Sequence, residues 1–393
     1  MERSVLVVNC GSSSLKLALY PDPNATQPTI EASAERLGTD KASLSASGLI
    51  SLDQTGAMNH EEALRAFISA AESELQHLAG IGHRVVHGGE TFVDSTLLTN
   101  DTIEQLEAVS GLAPLHNPMN LMGISLCQEL LPGIEQVAVF DTAFHQTMPE
   151  QAWLYGVPYE WYEQFGVRRY GFHGTSYRFV AAETARRMDR EADDLNLIVA
   201  HLGNGCSACA IRQGVSVDTT MGLTPLEGLI MGTRSGDVDP GLLDYMIEKT
   251  DSSVDALMQT LNKQSGLKGL SSGLSNDMRS LLEAEESGNA DATRAINAFC
   301  FRVARHLSAL STNLTHIDSV VFTGGIGEHS AVIRQRILAA WRNMPFRLNQ
   351  ELNNQNGDNQ GRISEQGTPL VLVVPTDEER MIAQDTYRLT HHD

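Results

Sequence analysis

Three cationic side chains lie in loops built from small residues, as expected of a site that binds anions. Arg84 follows a histidine in IGHRVVHGG and precedes a glycine pair, and Arg234 lies among small residues in GTRSGDVDPG. His173 lies in YGFHGTS, directly before residues that open a helix. A planar guanidinium suits a carboxylate or a phosphate, and a helix N-terminus attracts the same charge. The three side chains are therefore candidates for binding an anionic substrate and for stabilising a charged transition state.

Each of these positions also has a purely structural interpretation. In a chain with excess acid, Arg84 could pair with a carboxylate, and His173 could be satisfied within its own turn. Two further candidates are Asp141 and His116. Asp141, in FDTAFH, ends a buried strand, where open α/β sheets place ligand-binding groups. His116, in PLHNPMN, precedes a helix that Pro118 starts. The residues alone leave both interpretations of Arg84 and His173 open.

Two similar stretches predict the elements that position these groups. VLVVNCGSSSLKLALY, from Val5, reads as a strand, a polar turn at Gly11 and a returning strand. LNLIVAHLGNGCSACAI, from Leu195, has the same order, with Gly203 in place of Gly11 and Asn-Gly in place of Ser-Ser. For either stretch alone, an ordinary hairpin with a polar tip is the alternative. Together they predict a duplicated α/β fold that holds a nucleotide with two phosphate-binding hairpins.

Further candidates lie towards the carboxyl terminus. TGGIGEHS, from Thr323, follows a buried strand and turns into a helix, and its glycines let a base or ribose approach the backbone. SGLSNDMRSL interrupts a helical region. Thr376 with Glu379 predicts a capping box for the last helix, which places Glu378 in the first turn.

The composition excludes several classes of function. A chain of 393 residues predicts two or three domains. With 28 Lys and Arg against 49 Asp and Glu, the net charge of -21 repels nucleic acid and anionic membranes. No apolar run approaches about 20 residues, and no apolar segment follows a basic start, so we expect no membrane helix and no signal peptide. These features predict a cytoplasmic protein with small-molecule partners.

The five cysteines are odd in number and scattered, so a disulfide framework is not expected. Cys206 and Cys209 form a lone CxxC pair. On a strand the two thiols would face opposite sides, and no second pair completes a zinc site. Metal or redox use of this pair is therefore not expected.

Seven motifs, in one order over nearly the whole chain, resemble those of the acetate kinase family, within the acetate and sugar kinase, chaperone and actin superfamily. They are NCGSSSLK, HRVVHGG, FDTAFH, YGFHGTS, HLGNG, GTRSGD and FTGGIGE. The resemblance implies an α/β fold of duplicated ribonuclease-H-like, actin-like ATPase domains that form a two-lobed kinase with a central cleft. It implies an N-terminal lobe at 1–147, completed by a helix at 376–393, and a nucleotide-binding lobe at 148–375.

The resemblance also implies an activity. The family transfers phosphate reversibly from ATP to acetate, giving acetyl phosphate and ADP, with Mg²⁺ or Mn²⁺, and works as a homodimer. Carried over residue by residue, its substrate-binding positions match Arg84, Val86 and Arg234. Its catalytic positions match Arg84, His116, Asp141, His173 and Arg234, of which His173 and Arg234 would stabilise the transition state.

The remaining roles implied by the resemblance concern the metal and the nucleotide. The metal-site positions match Asn9 and Glu378. The nucleotide positions match Ser12, Ser14, Lys16, His201, Leu202, Gly203, Asn204, Gly205, Asp277, Met278, Arg279, Gly325, Ile326, Gly327, Glu328 and His329. The family usually has asparagine at the position of His329, which bears on local nucleotide contacts and not on the reaction.

The chemistry agrees with direct in-line transfer. Acetate, with a model carboxylate pKa of roughly 4, is already ionised at neutral pH and needs no general base. Asp141 is therefore expected to position magnesium or water, although a covalent aspartyl phosphate is the alternative. Two other functions compete. Propionate kinases share the motifs but tend to have a smaller residue at the position of Val86, and an actin- or chaperone-like regulatory module would bind ATP without an acetate site.

Overall fold

The computed structural model describes residues 4–114 and 116–391, so Leu115 in the motif before His116 lies outside the described residues. The chain divides into two compact units. Unit 1 comprises the described residues up to Gln146 together with those from Asp377 onward, and unit 2 runs from Thr147 to Thr376. Each unit contains one sheet.

Unit 1 contains an eight-stranded sheet. Its strands are β1 (Ser4–Cys10), β2 (Ser14–Tyr20), β3 (Ile30–Glu35), β4 (Ser43–Gly48), β5 (Leu52–Thr55), β6 (Leu78–Val85), β7 (Thr96–Leu97) and β8 (Gln136–Phe140). They lie in the order β5-β4-β3-β2-β1-β6-β8-β7. The pairs from β1 to β5 are antiparallel, whereas β6 and β8 continue the sheet in parallel from β1.

Unit 2 contains a five-stranded sheet. Its strands are β9 (Asn196–Leu202), β10 (Cys206–Arg212), β11 (Val215–Thr219), β12 (Ser319–Thr323) and β13 (Val371–Val373), in the order β11-β10-β9-β12-β13. The pairs β9/β10 and β10/β11 are antiparallel, and β9/β12 and β12/β13 are parallel. The five strands β3-β2-β1-β6-β8 of unit 1 repeat this order and these directions, which confirms the duplicated ribonuclease-H-like fold.

The two predicted hairpins occupy equivalent places in the two sheets. Three residues, Gly11 to Ser13, join β1 to β2, and three residues, Gly203 to Gly205, join β9 to β10. Each turn is closed by the backbone: the N–H of Gly11 donates to Ser14 O and that of Gly203 to Gly205 O. Both connections therefore have three residues between equivalent strands, as the alignment at these glycines predicts. The strand pairing differs by one residue, however, because Cys10 lies opposite Leu15 whereas Leu202 lies opposite Cys206.

The helices cover the sheets. They are α1 (His60–Ala70), α2 (Asn100–Val109), α3 (Asn117–Leu130), α4 (Glu150–Trp153), α5 (Tyr159–Phe165), α6 (Gly174–Met188), α7 (Gly241–Thr250), α8 (Val254–Lys263), α9 (Gly266–Leu270), α10 (Met278–Glu286), α11 (Ala290–Leu310), α12 (Gly324–His329), α13 (Ala331–Ala340), α14 (Gln350–Asn354) and α15 (Glu378–Thr390). None of the described helices is long and apolar enough to cross a membrane.

Alternation along β1 divides the core of unit 1 between the two faces of its sheet. Leu6 and Val8 belong to a cluster with Phe67 of α1, whereas Val5 and Val7 pack in a second cluster with Ile382 of α15. Successive side chains of a strand point to opposite faces, so β1 is apolar on both. The last helix of the chain thus completes the first sheet.

The start of α15 differs from the prediction. The N-cap is Asp377, whose side chain accepts from the backbone N–H of Arg380 at 3.0 Å, so the predicted capping box at Thr376 is wrong. The hydroxyl of Thr376 instead lies 2.7 Å from Ser176 Oγ, and its N–H donates to Glu328. Because these partners engage Thr376, the next residue caps the helix. Glu378 still lies in the first turn.

Two glycines of β6 allow α15 to approach the sheet closely. A Cβ placed on Gly82 would lie 2.2 Å from Thr386 Oγ1 and 2.6 Å from Ile382 Cγ2. A Cβ on Gly80 would lie 2.8 Å from Thr390 Cγ2. The helix that carries Glu378 therefore rests directly on the backbone of the strand that carries Arg84.

We expect Gly82→Ala to destabilise the protein by about 1–3 kcal/mol, because overpacking forces α15 away from β6. Gly111→Ala is the matched control, since a Cβ there meets nothing within 4 Å. Urea denaturation of the two variants measures the difference. Equal midpoints for both variants and the wild type would show that the close approach does not limit stability.

Candidate active site

Arg84 and Asp141 form a bidentate ion pair in unit 1. Arg84 lies near the end of β6 and Asp141 directly follows β8, so the parallel neighbours bring both to one sheet edge. Arg84 Nε lies 3.0 Å from Asp141 Oδ1, and Nη2 lies 2.7 Å from Oδ2. Asp141 is 1% exposed. Arg84 thus pairs with a carboxylate, as the structural interpretation predicted. Its partner, Asp141, is itself a predicted site residue.

Glu378 joins this pair from the first turn of α15. Its Oε2 lies 3.8 Å from Arg84 Nε. Burial raises the pKa of Glu378 to about 7; the charge of Arg84 opposes this shift and that of Asp141 adds to it. The pKa of Arg84 lies above its ordinary value, chiefly because of the adjacent Asp141 charge. The single guanidinium of Arg84 therefore interacts with two carboxyl groups, those of Asp141 and Glu378.

The first hairpin presents its predicted residues along the turn and the following strand. The register pairs Asn9 with Lys16 across β1 and β2. Ser12 is exposed and Ser14 is half-buried, beside the Gly11 backbone. Lys16 lines a cavity of about 470 Å³ with Glu31 and Glu379, among other residues of β2–β4 and α15. Lys16 thus lies in a cavity that is lined by residues of unit 1.

Helix α3 holds the loop that follows Arg84. The loop N–H groups of Val86 and His87 donate to the side chains of Asn120 and Asn117. Both asparagines are buried, whereas His116, the N-cap of α3, is exposed. The sequence analysis missed the two asparagines. Their spacing of three on a helix that begins at a predicted active-site histidine was the available signal.

His173 lies at the N-terminus of α6 in unit 2 with a left-handed backbone, φ 59°. Its Nδ1 lies 2.8 Å from Ser207 Oγ, and its ring stacks on His201 with centroids 4.3 Å apart. His201 Nδ1 in turn lies 2.8 Å from Ser176 Oγ. The imidazole of His173 is therefore held by a neighbour on β10 and a ring on β9, which fixes its orientation.

Arg234 and His173 converge on the second hairpin turn. A Cβ placed on Gly205 would lie 2.9 Å from Arg234 Nη2 and 3.5 Å from His173 Nε2. Nη1 of Arg234 donates to the carbonyl of Pro225 at 2.6 Å. Three motifs that are far apart in the sequence thus meet at one glycine. Any side chain at position 205 would enter the space that Arg234 and His173 occupy.

The same turn borders a cavity of about 440 Å³ in unit 2, within the range of small-ligand pockets. Its lining includes eight of the predicted nucleotide residues: Gly203, Asn204, Asp277, Met278, Arg279, Gly325, Ile326 and His329. Three further lining residues, missed in the sequence analysis, are Asn276, Leu282 and Ser330. Three segments distant in sequence therefore form one cavity.

Several predicted nucleotide residues of unit 2 do not line this cavity. They are His201, Leu202, Gly205, Gly327 and Glu328. The carboxylate of Glu328 accepts from the N–H of Gly324 at 2.9 Å and from that of Thr376 at 3.1 Å. Buried Arg334 donates to the carbonyls of Gly327 and Glu328, both at 2.8 Å. These contacts hold the backbone of α12 in place, so Glu328 supports the cavity indirectly, through the backbone of that helix.

The available metal ligands are oxygens. Among residues 4–114 and 116–391, no group of three His, Cys, Asp or Glu side chains is arranged to hold a metal ion. Asn9, Asp141 and Glu378 in unit 1 offer amide and carboxylate oxygens. Cys206 and Cys209 are both buried on β10, and burial raises the pKa of Cys206 to about 12.

A duplicated ribonuclease-H-like fold, with cations grouped beside a cavity of nucleotide size, defines a nucleotide-dependent phosphotransferase with an actin-like fold. The sequence model of the acetokinase family matches residues 4–384. The chain is 50% identical over 392 residues to the acetate kinase of Stutzerimonas stutzeri, covering 98% of each chain. The chain belongs to the acetokinase family, which confirms the resemblance of its seven motifs.

Solved structures agree with this assignment. The fold matches a propionate kinase from Francisella tularensis with a TM-score of 0.93 and 40% identity, over 98% of each chain. It matches the acetate kinase of Porphyromonas gingivalis with a TM-score of 0.93 and 38% identity, over 99% of this chain and 100% of that one. Both the fold and the order of its elements are therefore those of the family.

Gly325→Leu tests the cavity directly. Gly325 lines it, and a Cβ there meets nothing within 4 Å, so the backbone tolerates a side chain that fills the nucleotide space. We expect the KM for ATP to rise on the order of tenfold or more, with the melting temperature retained. Gly156→Leu, also without neighbours but outside the cavity, is the control in the same unit. An unchanged KM for ATP in Gly325→Leu would exclude this cavity as the nucleotide site.

Proposed function

We propose that this chain is an acetate kinase that transfers the γ-phosphoryl group of ATP reversibly to acetate, giving acetyl phosphate and ADP. The observation that carries the proposal is the turn from Gly203 to Gly205. Its first two residues line the nucleotide-sized cavity, and its third lies against Arg234 and His173. One end of the turn thus lies at the proposed nucleotide site, and the other end lies beside a guanidinium and an imidazole.

Arg234 and His173 are proposed to stabilise the transition state. Phosphoryl transfer develops charge on the equatorial oxygens of the transferred group, and fixed cations or donors offset it. The carbonyl of Pro225 and the hydroxyl of Ser207 hold the two side chains in place, so little reorganisation is needed. In this proposal the cavity residues, together with Ser12, Ser14 and Lys16 of unit 1, bind ATP and ADP.

Arg84, Val86 and Arg234 are proposed to bind the acetate, with His116 as a further active-site residue. Asp141 accepts hydrogen bonds from Arg84 through both of its oxygens, and its side chain is 2% exposed. A carboxylate in this state is poorly placed to attack phosphorus. The ion pair therefore supports direct in-line transfer over an aspartyl-phosphate intermediate, and Asp141 acts by positioning.

Asn9 and Glu378 are proposed to hold Mg²⁺, with Mn²⁺ as a substitute that accepts the same oxygen ligands. Mg²⁺ is usually bound by one or two carboxylates together with substrate phosphates, and not by an all-protein cage. The residues Asn9, Asp141 and Glu378 of unit 1 fit this mode of binding, because they offer two carboxylates and one amide oxygen. When bound, the ion would neutralise phosphate charge. We also propose that the enzyme works in the cytoplasm as a homodimer, as the family resemblance implies.

Propionate is the second candidate acceptor. The matched structure from Francisella tularensis is that of a propionate kinase. In this chain Val86 stands where propionate enzymes tend to have a smaller residue, which favours acetate. One methylene is worth about 0.8 kcal/mol of burial, a factor of about four, so some turnover of propionate is expected.

Trapping the acyl phosphate as its hydroxamate tests the function. We expect the product to form with acetate, less with propionate and least with butyrate, because the acceptor site must accommodate each added methylene. ADP release should require the acceptor. ATP turnover that ignores acetate would instead support a regulatory nucleotide-binding module, and a preference for propionate would support the alternative kinase.

Arginine substitutions separate acceptor binding from catalysis. We expect Arg234→Ala to lower kcat on the order of 10³-fold, by analogy with arginine fingers. Arg84→Lys should mainly raise the KM for acetate, because lysine keeps the charge beside Asp141 but lacks the planar fork. Alanine at position 84 would leave the buried Asp141 unpaired and confuse stability with binding.

Steady-state kinetics with both substrates varied distinguishes these effects. Arg65→Ala is the control, because Arg65 forms exposed ion pairs with Glu61 and Glu129 in unit 1. Its kinetic constants should equal those of the wild type. Wild-type constants in Arg84→Lys and Arg234→Ala as well would contradict the assigned roles.

A further inference from the structure

Asn120 lies where two strands of the eight-stranded sheet separate. The parallel pairing of β1 with β6 runs as far as Val8 and His83. Beyond these residues β6 continues beside β8, whereas β1 runs on with β2 into the turn at Gly11. The backbone hydrogen bonds between β1 and β6 therefore do not extend to the end of β1 or to the backbone after β6.

The side-chain amide of Asn120 bridges this gap. Its Nδ2 donates to the carbonyl oxygen of Cys10 at 3.0 Å, and its Oδ1 accepts from the N–H of Val86 at 3.1 Å. A side-chain amide offers a donor and an acceptor, as a peptide group does, so it joins the two backbones like one more rung of the ladder. Asn120 is 5% exposed, so breaking either bond leaves a shielded polar group unsatisfied.

We propose that Asn120 is a positioning residue that fixes the substrate-binding loop at Val86 relative to the phosphate-binding turn at Gly11. This inference rests on the proposed function, which assigns acetate to the loop and ATP phosphate to the turn. Phosphoryl transfer requires acceptor and phosphorus to be aligned, and a misplacement of about 1 Å costs on the order of 10²-fold in rate. A single side chain bonded to both backbones therefore affects both substrates.

Asn117, one turn earlier on α3, provides a matched comparison. Its Oδ1 accepts from the N–H of His87 at 3.1 Å, and its Nδ2 donates to His87 O at 2.8 Å, so both of these bonds go to the loop. Asn117 is buried, as Asn120 is. Asn117 thus holds the loop, whereas Asn120 holds the loop and the turn.

Close packing of α3 against β1 makes the bridge rigid. A Cβ placed on Gly123, three residues after Asn120, would lie 2.8 Å from the Cβ of Cys10. The helix therefore rests directly on the end of β1, which leaves the amide of Asn120 little freedom to move without breaking its bond to Cys10.

Asn120→Asp keeps an acceptor for the loop but replaces the donor to Cys10 by a second oxygen, which repels the carbonyl. We expect the KM for acetate and the KM for ATP each to rise on the order of tenfold, because the side chain loses its hold on the turn and is displaced from the loop. Asn117→Asp should raise the KM for acetate alone. Hydroxamate kinetics measures both constants, and neither depends on the fraction of active enzyme.

An unchanged KM for ATP in Asn120→Asp would overturn the inference. So would a rise in the KM for ATP in Asn117→Asp that equals the rise in Asn120→Asp. Should Asn120→Asp fail to fold, Asn120→Ser replaces it, since its short hydroxyl cannot reach both backbones, and the same rise in both constants is expected. A wild-type chain that forms no hydroxamate from acetate would contradict the proposed function itself. The two failures are therefore distinguishable.

Discussion

The need to compensate a buried carboxylate shapes unit 1. Asp141 is almost completely buried, and an isolated charge in that position would be very costly. Arg84 compensates it with a two-point contact, which is possible because β6 and β8 are parallel neighbours and end at the same edge. The glycines of β6 then let α15 approach and add Glu378. Strand order thus places Arg84 beside Asp141, and the glycines of β6 let α15 bring a second carboxyl group to the same guanidinium.

The two hairpin turns show how a duplicated fold has diverged. Both turns have three residues between equivalent strands, but serines follow Gly11, whereas Asn204 and Gly205 follow Gly203. In unit 2 the missing side chain at Gly205 makes room for Arg234 and His173. At the equivalent position of unit 1, Ser13 offers a hydroxyl in place of that space. Turns of equal length therefore leave space for Arg234 and His173 in one unit and present serine hydroxyl groups in the other.

Local signals explain what the sequence could predict. The hairpins follow from apolar runs on either side of a glycine-containing turn, and Arg84 and Asp141 were found from their residue types at strand ends. Asn117 and Asn120 were missed because their role depends on where α3 packs, at which their spacing of three along that helix only hints. The capping box at Thr376 was wrong because its hydroxyl and N–H have partners far away in sequence. In these cases, contacts with residues distant in sequence determined the structure, and local propensity did not.

A charge count connects the ion pair to the proposed chemistry. One guanidinium faces two carboxyl groups, and His83 adds no positive charge at neutral pH, because burial lowers its pKa to about 4. With Glu378 ionised, the group of three therefore carries a net negative charge before any acetate or phosphate binds. Burial raises the pKa of Glu378 to about 7, and the charge of Asp141 adds to this rise whereas that of Arg84 opposes it. A divalent cation would remove the excess, since it favours the ionised carboxylate and offsets the charge of the phosphates. The net negative charge of this group of three is thus a physical reason for the proposed reaction to require a metal ion.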